Sequence, residues 1–210
     1  DIGLAEATGG RLHVMHVSTA GAVEAVRRGK KRGVRVTAEV TPHHFTLTDE
    51  CMRSFDANFK MNPPLRSQEH VDAVIEGLKD DTIDAIATDH APHAKEKKML
   101  ELDRAPFGII GLETAAGLIV MRLIDEHNMS WMQVLSKLTC RPAEILGIEG
   151  GTLKIGAPAD VTILDPEHRW VVEPTKLKSK ASNTPFAGWE LKGRVKFTIV
   201  GGKVKYQLEA

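Results

Sequence analysis

The sequence predicts an α/β fold, a parallel sheet covered by helices, followed by a smaller β-rich unit. Three observations predict it. Strand-like apolar runs alternate with helix-like periodicity through the first part of the chain. An apolar run at 83–87 passes directly into Thr88, Asp89, His90, Ala91, Pro92 and His93. Past residue 150 the pattern shifts to short β-prone runs, with Gly201-Gly202 between the last two.

The elements follow in order. Residues 12–17 read as a strand, and Ser18 or Thr19 can cap a helix over 20–32 that Gly33 ends. Residues 34–40 alternate strongly and read as the second strand. Pro42, Pro63 and Pro64 break the stretch 41–65 into loops. A helix over 67–78 leads to a third strand at 83–88. Residues 112–147 read as helical, with Ser130 and Gln133 forming a capping-box pattern and Gly147 a stop. Short strands are expected at 161–164, 170–172, 195–200 and 203–206. The division expected is 1–148 and 149–210.

Composition narrows the function classes. Hydrophobic residues make up 42% and charged residues 27% of 210, ordinary for a globular protein. Lys plus Arg (28) balances Asp plus Glu (28), so no nucleic acid or anionic membrane surface is expected as a partner. The apolar stretch 105–121 is interrupted by Glu113 and several glycines, and reads as a loop entering a buried helix rather than a membrane span. Cys51 and Cys140 are too few and too far apart for a disulfide framework, and a reducing cytoplasm is the expected location. The chain opens DIGLAEATGG, without a signal peptide or an initiator Met, in what reads as the end of a helix; a longer polypeptide is expected.

Several side chains are candidates for chemistry. Asp89 ends a buried strand, where charge is costly unless a metal, a partner or a substrate compensates it; it also reads as a simple turn cap. His16 closes the first strand, while His13, three positions earlier, faces the other way. His93 sits at the loop mouth, where it can donate to an anionic group or lie exposed. His43 and His44 read as buried histidines bonded to backbone. Asn62 precedes the stiff Pro63-Pro64 pair, and its amide can both donate and accept, which suits recognition of another amide. Phe107-Gly108 offers a point without a Cβ where a ligand can approach the backbone.

Taken together, HVMHVSTAGAVEAV, VTAEVTPHHFTLT, KMNPPLR, IATDHAPH, APFGIIGLET and SNTPFAGWELKGRV occur in an order that resembles the carboxyl-terminal half of bacterial-type dihydroorotases, in the amidohydrolase superfamily. IATDHAPH and KMNPPLR are the specific segments; GTLKIGAPADVTILD is shared more widely. The resemblance implies strands six to eight of a (β/α)8 TIM-type barrel, then part of a composite β-sandwich. It implies reversible hydrolysis of the ring amide of dihydroorotate to carbamoyl-aspartate, by hydroxide that two zinc ions generate.

His16 matches a ligand of one zinc. Asp89 matches a ligand of the other and the proton shuttle. Asn62, His93, Phe107 and Gly108 match substrate-contacting positions. The remaining zinc ligands of the family precede this stretch, so the chain by itself is expected to be inactive. A homodimer, and association with aspartate transcarbamoylase, are the partners implied. Two rival readings are an allantoinase or hydantoinase, and a non-catalytic subunit that scaffolds aspartate transcarbamoylase.

Overall fold

The structure is a computed structural model that describes residues 1–209. Two compact units emerge: Asp1–Glu113 with Glu173–Pro185, and Thr114–Val172 with the remainder of the chain.

In the first unit, α1 (Ile2–Thr8) ends at Gly9 in the left-handed conformation. Strands β1 (Leu12–Val14), β2 (Val36–Val40) and β3 (Ala85–Ile86) form a parallel sheet in the order β1-β2-β3. Leu12 pairs with Val36 and Val14 with Ala38, while Val40 pairs with Ile86. Helices α2 (Ala20–Lys31) and α3 (Gln68–Lys79) connect them, the crossovers that parallel neighbours need. Thr19 caps α2 by accepting from the Ala22 amide at 3.2 Å.

The alternation read in the second strand is real. Val36, Ala38 and Val40 are buried, and Thr37 and Glu39 lie on the other face. There His13 bonds Thr37 at 2.7 Å and Glu39 at 3.1 Å, so His13 belongs to a polar cross-strand network. The buried side of α3 (Val71, Val74, Ile75, Leu78) and of α2 (Val23, Val26) supplies the core. A Cβ at Gly77 would lie 3.0 Å from Val23 and 3.1 Å from Ile83, which lets α3 approach closely.

All three expected strands of this sheet are shorter than the sequence predicts, β2 opening at Val36 rather than residue 34. β1 stops at Val14 rather than residue 17, and β3 covers only Ala85–Ile86 rather than 83–88. The chain turns at His16 (φ 35°) and at Asp89 (φ 47°), conformations a strand cannot hold.

In the second unit, α4 (Ala115–Ile119) continues as π-type turns over Val120–Glu126. It is followed by α5 (Trp131–Ser136), capped by Ser130, and α6 (Cys140–Leu146), stopped by Gly147 at φ 68°. β4 (Val161–Val171), β5 (Glu190–Val200) and β6 (Lys203–Gln207) form an antiparallel sheet. The runs expected at 161–164 and 170–172 are one strand with irregular register. The glycine hairpin is as expected: Val200 pairs with Lys203 across Gly201 (φ 56°) and Gly202 (φ 73°). Among the described residues no helix is long and apolar enough to cross a membrane.

Candidate active site

The site is built where the three parallel strands end, all within the first unit. His16 lies just past β1, and its Nδ1 is buried without a hydrogen-bond partner. β2 runs into a 3-10 turn at Pro42–Phe45 that buries His43 and His44. Thr41 Oγ1 lies 2.7 Å from His44 Nδ1, and His44 Nε2 lies 2.9 Å from the Pro63 carbonyl. A carbonyl only accepts, so Nε2 carries the proton and Nδ1 accepts from the Thr41 hydroxyl.

Burial pulls His44 down to about 4, the nearby Asp89 and the Pro63 carbonyl opposing that shift and His16 adding to it. His44 is therefore a neutral imidazole at pH 7. His43 is held well below the ordinary range by burial, with His44 and His16 adding to the effect. His16, His44 and Asp89 each follow the end of one of the three parallel strands, and His44 feels the charge of both others.

His16 and Asp89 are two of the five non-glycine residues with positive φ among the described residues. Each such conformation costs on the order of 1–3 kcal/mol, and such strain gathers at functional sites.

The second group of candidates meets beside the first. His93 Nε2–H donates to the Phe107 carbonyl at 2.7 Å. The Gly108 amide donates to the Lys60 carbonyl at 2.9 Å, tying this loop to the segment that carries Asn62. Asn62 itself is exposed and joins Pro63 through a cis peptide bond. Because the Pro63 carbonyl holds His44, the Asn62-Pro63 segment connects the two groups. Phe107 is 54% exposed, whereas Gly108 is buried with φ 109°. Further along, Ala91 donates its amide to Ile109 at 2.8 Å, and Gly111 donates to His90 Nδ1 at 3.1 Å.

Two lysines outside the candidates named from sequence shape this loop. Lys60 Nζ donates to the carbonyls of Leu102 and Ala105, both at 2.6 Å, and sits 4.5 Å from the Phe107 ring centre. Lys98, only 8% exposed, donates to the carbonyls of Pro106 and Gly108, both at 3.0 Å. Burial pulls Lys98 down to about 8, Lys60 adding to the shift and Asp56 opposing it.

The sign follows. Between about 8 and the ordinary 10.5 the unfolded chain binds more protons than the folded one, so stability gains as pH rises through that window. Replacing Lys98 by Met leaves the two carbonyls short of a donor and is expected to cost about 1–3 kcal/mol at pH 7. Urea denaturation at pH 7 and pH 10 checks this: the gap between wild type and variant widens at the higher pH. A gap that narrows contradicts it.

Among the described residues no group of three or more His, Cys, Asp or Glu side chains is disposed to hold one metal ion. His16 and Asp89 nevertheless fit as partial donors. An unpartnered buried imidazole nitrogen and a carboxylate at the same strand rim suit zinc. Further donors are needed to complete a site.

Comparison with known proteins adds to this geometry. Residues 6–205 match the model of the amidohydrolase family. The chain belongs to the amidohydrolase family. Among curated amidohydrolase relatives, a dihydroorotase from Pelotomaculum thermopropionicum is 56% identical over 99% of this chain and 48% of its own length. A dihydroorotase from Geobacter metallireducens is 53% identical over 99% of this chain and 49% of its own. The chain thus spans about half the length of the curated relatives it matches.

Among solved amidohydrolase-type structures, an L-hydantoinase (dihydropyrimidinase) from Arthrobacter aurescens superposes with a TM-score of 0.92 at 28% identity, over 98% of this chain and 47% of the other. Dihydropyrimidinase from Brevibacillus agri superposes equally well, at 0.92, with 23% identity. The α/β fold expected from sequence is that of these enzymes.

Proposed function

We propose that this chain is the part of a dihydroorotase that carries barrel strands six, seven and eight, β1 to β3 here. The division proposed is a barrel portion at 1–148 and, at 149–210, one layer of a composite β-sandwich. The three antiparallel strands, all past residue 160 and two of them 11 residues long, support the second part. The observation that carries the functional reading is the placement of His16, His44 and Asp89 just past the ends of three adjacent parallel strands, with His93 bonded to the Phe107 carbonyl. Relatives named dihydroorotase at 53% and 56% identity favour this substrate over other cyclic amides.

In this reading His16 and Asp89 help to hold two zinc ions, with the other ligands coming from outside this stretch. Zinc supplies Lewis-acid polarisation of the ring carbonyl and an acidified water. Asp89 takes the proton as water adds to the ring amide of dihydroorotate, then delivers it to the departing ring nitrogen. Carbamoyl-aspartate is the product, and the same steps reversed close the ring.

His93 has given its Nε2–H to Phe107, so only its Nδ1 face is available to a substrate carboxylate, and only when protonated does it donate there. Lys98 and Asn183 both donate to the Gly108 carbonyl, which fills it; the Phe107 carbonyl keeps one lone pair for a substrate N–H. Asn62 orients the ring by its amide. The proposal extends to a cytoplasmic enzyme acting on a small molecule, to a homodimer, and to association with aspartate transcarbamoylase.

The test uses the complete gene product that contains this chain. Turnover of dihydroorotate, hydantoin and allantoin is compared, and zinc is measured alongside. Dihydroorotate is expected to be hydrolysed fastest, with about two zinc ions per chain. Faster turnover of hydantoin would move the assignment to the activity for which the structural neighbours are named. No turnover together with no zinc would indicate a scaffold subunit instead.

A further inference from the structure

We propose that Asn183 is a positioning residue, whose side-chain amide locks the loop bearing His93 to the Phe107–Gly108 loop so that both meet the substrate in fixed register. This rests on the functional reading above.

Asn183 is 4% exposed, and both the oxygen and the nitrogen of its amide are hydrogen-bonded. Oδ1 accepts from the His93 backbone amide at 3.0 Å. Nδ2 donates to the carbonyls of Ala91 at 2.9 Å and Gly108 at 3.1 Å. Its own backbone carbonyl accepts from Ile110 at 2.9 Å. Ala91 and His93 are two apart on one loop; Gly108 and Ile110 are two apart on the other. Asn183 therefore bonds both loops as a residue of a middle strand would, supplementing the direct bridge between His90 and Ile109.

The residue type is demanded by this pattern. One acceptor and two donors in one plane are what a primary amide provides. An Asp would keep the bond to His93 but set a carboxylate against two carbonyls. A Gln would displace the amide by a methylene. The segment that delivers Asn183 is itself anchored: the Glu113 carboxylate accepts from the amides of Lys178 at 2.8 Å and Ser179 at 3.1 Å.

The amide touches no residue proposed to bind zinc or to move the proton, and every loop it holds is proposed to contact substrate. Loss of Asn183 should therefore raise KM rather than lower kcat.

The experiment makes Asn183→Ala and Asn183→Asp in the complete gene product. Steady-state kinetics on dihydroorotate and backbone hydrogen exchange are measured for each. KM is expected to rise about tenfold or more with kcat within about threefold, since small misplacement of binding groups is costly. Exchange is expected to accelerate in 91–93 and 108–110 while Val36–Val40 and Gln68–Lys79 keep their protection. Unchanged KM, a fall in kcat alone, or unchanged exchange in the two loops overturns the proposal. If the Ala variant loses protection everywhere, the Asp variant decides by the same two readouts; global loss in both also overturns it. A wild type that ignores dihydroorotate but turns over another cyclic amide refutes the functional reading only, and KM is then read on that substrate. If the wild type turns over none of these amides, the exchange pattern alone decides whether the lock exists.

Discussion

Asp89→Asn should reduce kcat for dihydroorotate by on the order of 10²–10⁴-fold in the complete gene product, the range typical for loss of a positioned general acid–base group. An amide has nearly the shape of the carboxylate but neither accepts the proton from water nor returns one to the leaving nitrogen. The effect should fall on kcat in both directions of the reaction, because the proposed shuttle would serve both hydrolysis and ring closure. KM should change little, since Asp89 is not proposed to grip the substrate. Zinc content of the variant, measured in parallel, separates a lost proton relay from a lost ligand. Retention of more than a tenth of wild-type kcat would remove Asp89 from the shuttle role and leave it a turn residue.

Gly108→Ala is expected to be the most damaging substitution in the loop. The residue has φ 109°, and an added Cβ would stand 2.5 Å from the Ala91 Cβ and 3.6 Å from His93 Nε2. Both backbone strain and overlap then act on the same peptide. A cost of about 2–4 kcal/mol in stability follows from the two together. The loop can escape only by moving away from Ala91, which loosens the Gly108 bonds to Lys60, Lys98 and Asn183. KM for dihydroorotate should rise well over tenfold as the His93 and Phe107 groups separate. A variant with wild-type KM and wild-type thermal midpoint would show that the loop is not held as described.

Much of this arrangement is legible from local sequence. Strands separated by helices of the right length, capped by Thr19 and ended by Gly33, announce a parallel sheet. An apolar run that ends in Thr-Asp-His marks the rim of that sheet. Strand lengths were less legible. His16 and Asp89 leave the extended conformation, and nothing in side-chain periodicity forecasts a positive φ at His or Asp.

The site's supports were the least visible part. Lys98 stands in a charged run, AKEKK, that reads as solvated, yet carbonyls from residues 106 and 108 draw it inside. Asn183 precedes a Thr-Pro breaker and looks like an ordinary turn residue; its partners lie 75, 90 and 92 positions away. Local pattern carries no information about pairings at that distance. Conversely, His13 has the letters of a metal ligand but spends its ring on Thr37 and Glu39.

The excursion of the chain between Glu113 and Glu173 has a consequence for biosynthesis. On a nascent chain the parallel pairings join residues 24 and 46 positions apart, nearer in sequence than Asn183 is to its loop partners. The lock on the His93 loop must wait until Asn183 has left the exit tunnel, after most of the second unit has been made. Closure over so many residues is slow, so competence for ligand should trail sheet formation during synthesis. Until that late moment the newborn polypeptide holds a formed scaffold with a slack entrance.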